Sequence, residues 1–290
     1  MVDLHTHSTA SDGTVSPDRI PAIAVSEGVS AVALTDHDTV AGIPAFLNAA
    51  TEFPQLQAIP GVELSADYSG KEVHIVGLFV DHENPELLAF LQRQRESRLH
   101  RNDEMKRKLT SLGYPVSWDE PEFSAFSDSS SIGRPHFARV LCRKYGFADT
   151  REVFARLLGK NKPAYVRRIA PDPVSAVAAI RAAGGISVWA HPVYRQKNEW
   201  SFARRFCKKF KPLGLDAIEC YYSLFGPPET AMLSEIAANC GLFRSGGSDF
   251  HGENTPDIRI GAGMGKMDIP DEVASELTAL YHSRISENHL

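Results

Sequence analysis

Short apolar runs alternate with helical patterns along most of the chain. The apolar runs suit strands buried on both faces, and proline or glycine marks the ends of the helical segments between them. This alternation predicts an α/β fold, in which strands and helices follow one another. The predicted strands are Val2–His5, Ala31–Leu34, Leu56–Val62, Leu64–Asp67, Val73–Phe79, Ile186–Ala190, Leu215–Glu219 and Leu242–Gly246.

The alternation stops near Pro85 and resumes at Pro173. Between them the pattern predicts a long charge-rich helical stretch over 85–112, a helix that begins at Gly133–His136 and a third over 150–158. We therefore interpret 98–168 as a helical insertion in an α/β domain formed by 1–97 and 169–290. The helices predicted for that domain are 17–28, 40–52, 173–183, 202–210, 229–239 and 270–283.

Charge is divided unevenly between these parts. The chain has 290 residues and a net charge of -5, yet residues 93–168 contain 17 Lys+Arg against 9 Asp+Glu. The remainder contains 14 Lys+Arg against 27 Asp+Glu. A basic segment in an acidic chain suggests a polyanionic partner, and a solvated helix face is the alternative.

The cysteines and the apolar runs bear on location. Cys142, Cys207, Cys220 and Cys240 are scattered without a CxxC pair, which predicts reduced thiols in a cytoplasmic protein. No apolar run is long enough to span a bilayer, and the first predicted strand leaves no room for a signal peptide.

Metal-ligand residues recur where the predicted strands end. His5 and His7 are two residues apart, so their side chains point to the same side of a strand. In barrels of parallel strands, the loops at the carboxyl ends meet on one face. One such histidine is usually structural, but the recurrence predicts a shared metal site. Its candidate ligands are His5, His7, Asp12, His37, Glu63, His74, His191, Asp249 and His251.

The ordered motifs resemble those of the PHP (polymerase and histidinol phosphatase) family. They are Asp3-Leu4-His5-Thr6-His7, Asp12, Thr35-Asp36-His37, Gly61-Val62-Glu63, His74, Ala190-His191-Pro192 and Ser248-Asp249-Phe250-His251. The resemblance implies a distorted (β/α)7 barrel with an inserted helical cap. The motif Gly133-Arg134-Pro135-His136 resembles one in the branch of the family that has a helical cap. That branch contains nucleoside-3',5'-bisphosphate phosphatases and 5'-to-3' exoribonucleases that act on short RNA.

The resemblance also implies three divalent ions. The ligands of the first would be His5, His7, Glu63 and Asp249. Those of the second would be Glu63, His74 and His191, and those of the third Asp12, His37 and His251. Imidazole and carboxylate ligands suit Mn²⁺, which we expect, and equally Fe²⁺ or Zn²⁺.

A hydroxide formed at this centre is the expected nucleophile, and the ions would neutralise charge on the phosphoryl oxygens. We place His191, Asp12 and His251 in the catalytic set, and the proton donor could be His251, Asp12 or a water on the metal. Asp36 and Asp38 could orient His37 or its neighbours, or cap the helix that follows.

The substrate-binding residues are expected mainly in the insertion. Arg134 at a helix start, with His136 near it, would hold a second phosphate, and a surface salt bridge is the alternative for Arg134. Contacts with the substrate are also predicted for Asp12, Lys160, Tyr165 and Arg195.

The expected function is removal of the 3'-phosphate from nucleoside 3',5'-bisphosphates, which yields nucleoside 5'-monophosphate and orthophosphate. A second expected activity is the trimming of short RNA from its 5' end. Histidinol-phosphate phosphatase and a non-catalytic PHP metal-binding module are the alternatives. The expected partner is a small nucleotide or short RNA, without a membrane or a protein partner.

Overall fold

A computed structural model describes residues 1–124, 132–193 and 200–288 of the chain. The chain divides into two compact units, one of 1–91 with 171–290 and one of 92–170. We call them the barrel unit and the helical unit. The predicted insertion, 98–168, lies within the limits of the helical unit. That it caps a substrate site stays a prediction.

The barrel unit is built on a sheet that closes on itself. Seven strands in the described part of the chain follow one another in sequence order. They are β1 (Val2–Thr6), β2 (Ala31–Leu34), β3 (Gln57–Tyr68), β4 (Lys71–Leu78), β5 (Ile186–Ala190), β6 (Ala217–Tyr222) and β7 (Phe243–Gly247). Closure comes from backbone hydrogen bonds, from Asp249 N to His5 O and from His7 N to Phe250 O, both 2.9 Å. The predicted α/β barrel is confirmed.

Strand β3 corrects one prediction. The sequence predicts a strand that ends at Val62 and a separate hairpin arm over Leu64–Asp67, but β3 runs without a break through Glu63. Its first half pairs in parallel with β2, and its second half pairs antiparallel with β4. Glu63 was predicted to follow the end of a strand. It lies instead just past the end of β2, where it bridges to His37.

Helices fill the intervals between the strands. They are α1 (Ile20–Ser26), α2 (Ile43–Ala50), α3 (Pro85–Ser111), α4 (Pro121–Ser124), α5 (Arg134–Tyr145), α6 (Thr150–Val153), α7 (Pro173–Ala182), α8 (Trp200–Phe210), α9 (Pro227–Cys240) and α10 (Asp271–Asn288). None of the helices in the described ranges has the length and apolar content needed to cross a bilayer.

The inward face of the sheet changes from apolar to polar along its strands. Alternation puts Ile59 and Glu63 on one face of β3, and Val76 and His74 on one face of β4. The apolar members form a buried cluster that Leu277 and other residues of α10 complete. The polar members therefore gather at the other end of the same face.

The helical unit has a core of its own, formed by Met105, Phe137, Leu141 and other buried residues. The helix predicted over 150–158 is present, but it is α-helical only over Thr150–Val153 and continues as a π-helix over Phe154–Leu158. Gly159 N donates to Phe154 O at 2.8 Å, and a Cβ at residue 159 would lie 2.4 Å from that oxygen. A residue with a side chain does not fit at position 159, and the π-helix ends just before this glycine.

Candidate metal centre

The structure brings all nine predicted ligands together in the barrel unit. Their ligand atoms form groups in which every atom lies within 4.8 Å of the others. The groups are His5–His7–Asp249, His5–Glu63–His191, His37–Glu63–His74 and His7–Asp12–His37–His251. The division into three ion sites stays a prediction, and in the structure His7 also joins the group that contains Asp12.

Glu63 is the centre of this arrangement. Its carboxylate is fully buried and is surrounded by five imidazoles. From Oε1 the distances are 2.9 Å to His74 Nδ1 and 3.0 Å to His191 Nε2. From Oε2 they are 2.8 Å to His37 Nδ1 and 3.3 Å to the Nε2 atoms of His5 and His7. Both oxygens thus face more than one ligand, as a bridging carboxylate requires.

Two further carboxylates border the cluster. Asp249 Oδ1 lies 3.2 Å from His7 Nε2 and 3.6 Å from His5 Nε2. Asp12 Oδ1 lies 3.2 Å from His251 Nε2, and the Asp12 side chain is 40% exposed, the most of the nine. Asp12 is therefore the ligand that faces solvent most openly.

The donor atoms fit divalent metal ions. His5 Nε2, both ring nitrogens of His7, His37 Nδ1 and Glu63 Oε2 are buried and make no hydrogen bond of acceptable geometry with the described residues. Buried polar atoms are normally satisfied, because leaving one without a partner costs about 1–3 kcal/mol. Coordination of an ion would satisfy them, and imidazole with carboxylate suits Mn²⁺, Fe²⁺ or Zn²⁺.

The electrostatics of the cluster favour positive charge. Burial alone would lower the pKa of His7 and of His74, but Asp249 and Glu63 around His7, and Glu63 beside His74, raise each pKa to about 10. Burial would raise the pKa of Glu63, but His37, His74 and His5 hold it well below its usual range. A site that holds protons this firmly also attracts metal cations.

Several ligands stand on loops that neighbouring acids fix. Asp36 accepts hydrogen bonds from the hydroxyls of Ser8 and Ser11, both at 2.6 Å, and so fixes the loop before Asp12. Asp38 accepts from Ser65 N and Oγ, both at 3.0 Å, just past Glu63. These bonds give both acids a role beside the ligands, and the helix that follows them, α2, begins after Gly42 without a side-chain cap.

Sequence reasoning missed two residues at this site. Glu219 was predicted to end a strand, the same signal that marked the ligands, yet it was not chosen. Tyr222 Oη donates to Asp249 Oδ2 at 2.9 Å, and no sequence signal points to that contact.

The predicted substrate residues in the helical unit are only partly together. Arg134 is the first residue of α5, and its guanidinium carbon lies 5.5 Å from the ring centre of Tyr165 and 6.0 Å from that of Phe154. No carboxylate among the described residues pairs with Arg134, and the salt-bridge alternative stays untested because Asp128 lies outside them. His136 Nδ1 accepts from Gly133 N at 2.8 Å, and Lys160 is exposed. Arg195 lies outside the described residues.

Comparisons with known proteins agree with this fold. The PHP domain model matches residues 3–151. A 5'-3' exoribonuclease of Haemophilus influenzae is 38% identical over 86% of this chain and 89% of that protein. A 3',5'-nucleoside bisphosphate phosphatase of Chromobacterium violaceum is 34% identical over 89% of this chain and 90% of its own length. A Bifidobacterium adolescentis structure described as a metal-dependent phosphoesterase has a TM-score of 0.80 at 28% identity, over 96% of this chain and 95% of that one.

The barrel, its clustered ligands and these relatives define a metal-binding phosphoester hydrolase. The chain belongs to the PHP family, as its motifs predict.

Proposed function

We propose that the protein removes the 3'-phosphate from nucleoside 3',5'-bisphosphates and releases nucleotides from the 5' end of short RNA. The observation that carries this proposal is the coincidence of the clustered ligands with relatives named for these two activities. Both substrates are phosphoesters of nucleotides, and the basic helical unit is suited to polyanions.

The two activities can be one reaction. In a nucleoside 3',5'-bisphosphate, the bond broken joins the 3' oxygen to the terminal phosphorus. In RNA cut from the 5' end, the same bond joins the 3' oxygen of the first nucleotide to the next phosphate. Either product is a nucleoside 5'-monophosphate with a free 3' hydroxyl. A single site that recognises the 5'-phosphate therefore serves both substrates.

The nine ligands hold the metal centre of this reaction, which we propose contains Mn²⁺. Bound divalent ions supply positive charge for the phosphoryl oxygens and acidify a water molecule. The departing 3' oxygen needs a proton, for which Asp12, His251 and a water molecule at the centre are the candidate sources. His251 Nε2 lies 3.2 Å from Asp12 Oδ1, and Asp12 is the most exposed of the nine.

We assign the 5'-phosphate to Arg134. The aromatic rings of Tyr165 and Phe154 lie near the guanidinium and limit its rotation. Its planar N–H groups match a phosphate in two-point contact. The amino-terminal end of α5 adds the positive end of the helix dipole at the same place. His136, Lys160, Tyr165 and Arg195 remain further proposed substrate contacts.

The two alternatives make different demands. Histidinol phosphate has one phosphate and would leave the basic helical unit without a purpose. A non-catalytic module needs no complete ligand set, whereas all nine ligands are present here.

Phosphate release with Mn²⁺ tests the proposal directly. Adenosine 3',5'-bisphosphate, histidinol phosphate and p-nitrophenyl phosphate should be compared side by side by kcat/KM. We expect at least a tenfold preference for the bisphosphate. A preference for histidinol phosphate, or no release from any of them, would contradict the proposal.

Arg134→Ala tests the second phosphate. We expect KM for the bisphosphate to rise roughly tenfold to a hundredfold, since a charged hydrogen bond contributes about 1.5–3 kcal/mol. KM for p-nitrophenyl phosphate should stay unchanged. Arg139→Ala is the matched control, because Arg139 is an exposed arginine on the same helix. Equal effects of Arg134→Ala on both substrates would remove the assignment.

A further inference from the structure

Glu219 is a buried carboxylate beside the metal ligands that is not itself among them. It lies on β6 and is only 2% exposed. Alternation puts it on the same face as Ala217, which belongs to the apolar cluster inside the sheet. A charge buried this deeply requires close partners.

Both carboxylate oxygens of Glu219 contact metal ligands. Oε1 lies 3.1 Å from His5 Nδ1. Oε2 accepts a hydrogen bond from the backbone N–H of His191 at 2.6 Å. Glu219 therefore joins a ligand on β1 to a ligand that follows β5.

The contact with His5 fixes the position of its proton. A carboxylate only accepts hydrogen bonds, so the nitrogen that faces Glu219, Nδ1, carries the hydrogen. His5 Nε2 is then the ring nitrogen that can lose its proton and coordinate a metal. That atom lies 3.3 Å from Glu63 Oε2, is buried, and makes no hydrogen bond with the described residues. The lone pair that this loss exposes would face the proposed ion.

The contact with His191 fixes its backbone. His191 has φ +30, in the left-handed region that residues other than glycine rarely adopt. The short bond to Glu219 holds its N–H in place. His191 Nε2 then lies 3.0 Å from Glu63 Oε1, at the centre of the cluster.

We propose that Glu219 is a positioning residue, which sets the tautomer of His5 and the backbone of His191 so that both rings face the metal ions. The proposal rests on the metal centre of the proposed function, but not on the identity of the substrate. Partners of this kind around a metal site typically change metal affinity about 10- to 100-fold when they are replaced.

Glu219→Gln is the sharpest variant, because it keeps the size of the side chain and changes only its hydrogen bonding. If the amide oxygen accepts from His191 N–H, the amide NH₂ faces His5 Nδ1 and favours the tautomer with its proton on Nε2. If the amide is reversed, its NH₂ faces the His191 N–H, and two donors oppose each other. Either orientation disturbs one ligand.

Metal affinity is measured by titration of Mn²⁺ into metal-free protein with calorimetric detection. We expect the Kd of Glu219→Gln to rise about 10- to 100-fold. Glu235→Gln on α9 is the matched control, since Glu235 is exposed, and its Kd should equal that of the wild type. A Kd for Glu219→Gln within twofold of the wild type would overturn the proposal.

A measurement on the wild type keeps the test valid if the variant does not fold. Long-range ¹H–¹⁵N spectra of the Zn²⁺-loaded, ¹⁵N-histidine-labelled protein report which ring nitrogen of His5 carries hydrogen. We expect Nδ1, and a proton on Nε2 would overturn the proposal. A wild type that binds neither ion would overturn this proposal and the proposed metal centre together. A failure on nucleotide substrates alone would leave it intact.

Discussion

Glu63 shows how much of this site a single side chain organises. Five imidazoles face its two oxygens, and the charge it carries keeps neighbouring histidines protonated when no metal is bound. Protons and metal ions therefore compete for the same nitrogen atoms.

This competition predicts a pH dependence of metal binding. The pKa of His7 and of His74 is raised to about 10, and despite burial Glu63 and Glu219 also hold the pKa of His5 well above its usual value. These rings must lose protons to bind metal, so affinity for Mn²⁺ should rise between pH 6 and pH 8, and about two to three protons should be released. Calorimetry in two buffers of different ionisation enthalpy counts them. When a chelator removes the metal, the protein should take up the same number of protons. A proton release near zero on metal binding would contradict the prediction.

At the level of single residues, the candidate ligands could be picked out because they lie in recognisable motifs, most of them at turns or strand ends, although Glu63 and His74 lie inside β3 and β4. Glu219 was overlooked although it has the same placement, because it matches no ligand position of the family. The contact of Tyr222 with Asp249 depends on how two neighbouring strands are aligned, which the residue types alone do not specify.

At the level of elements, the close approach of β7 to β1 depends on glycine. A Cβ on Gly247 would lie 2.2 Å from His5 Cβ and 2.5 Å from His5 N. No side chain fits in that space. Because glycine has none, β7 and β1 can approach each other, and His5 lies against the end of β7.

Gly247→Ala should therefore destabilise the barrel unit. Overpacking of a rigid site costs about 1–3 kcal/mol, and backbone atoms cannot move aside as a flexible side chain can. Urea unfolding followed by circular dichroism measures the loss. Gly70→Ala is the control, because Gly70 has open space around it and a φ of +80, so only a backbone penalty of about 1 kcal/mol is expected. Equal losses in both variants would contradict the steric explanation.

Most elements could be predicted from periodicity, and the errors have physical causes. The break predicted at Glu63 is wrong because a buried carboxylate that faces ligands resembles a strand end in sequence. The π-helical turn after Val153 escapes prediction because its apolar spacing also suits an ordinary helix.

At the level of the whole molecule, two units with separate cores share one chain. All nine proposed ligands belong to the barrel unit. An ion that binds only the folded site stabilises the part of the protein that forms the site.

Hydrogen exchange should show this division. With saturating Mn²⁺, we expect slower amide exchange in β1, β3 and β7, where ligands or their neighbours stand. Amide exchange in α5 should change little, since α5 packs in the separate core of the helical unit, which contains none of the proposed ligands. Mass spectrometry of peptides before and after metal addition measures both. Mg²⁺, which prefers oxygen ligands, is the control, and protection of α5 equal to that of β1 would contradict the expectation.

The closure of the barrel also bears on biosynthesis. Asp3 accepts a hydrogen bond from the backbone of Ser248, 245 positions later in the chain. The pocket consequently needs residues that lie far apart in the chain, and a nascent chain that ends before Asp249 and His251 have left the ribosome offers incoming metal an incomplete set of donors. Metal binding by all nine residues therefore has to wait until β7 and the loop after it have been translated.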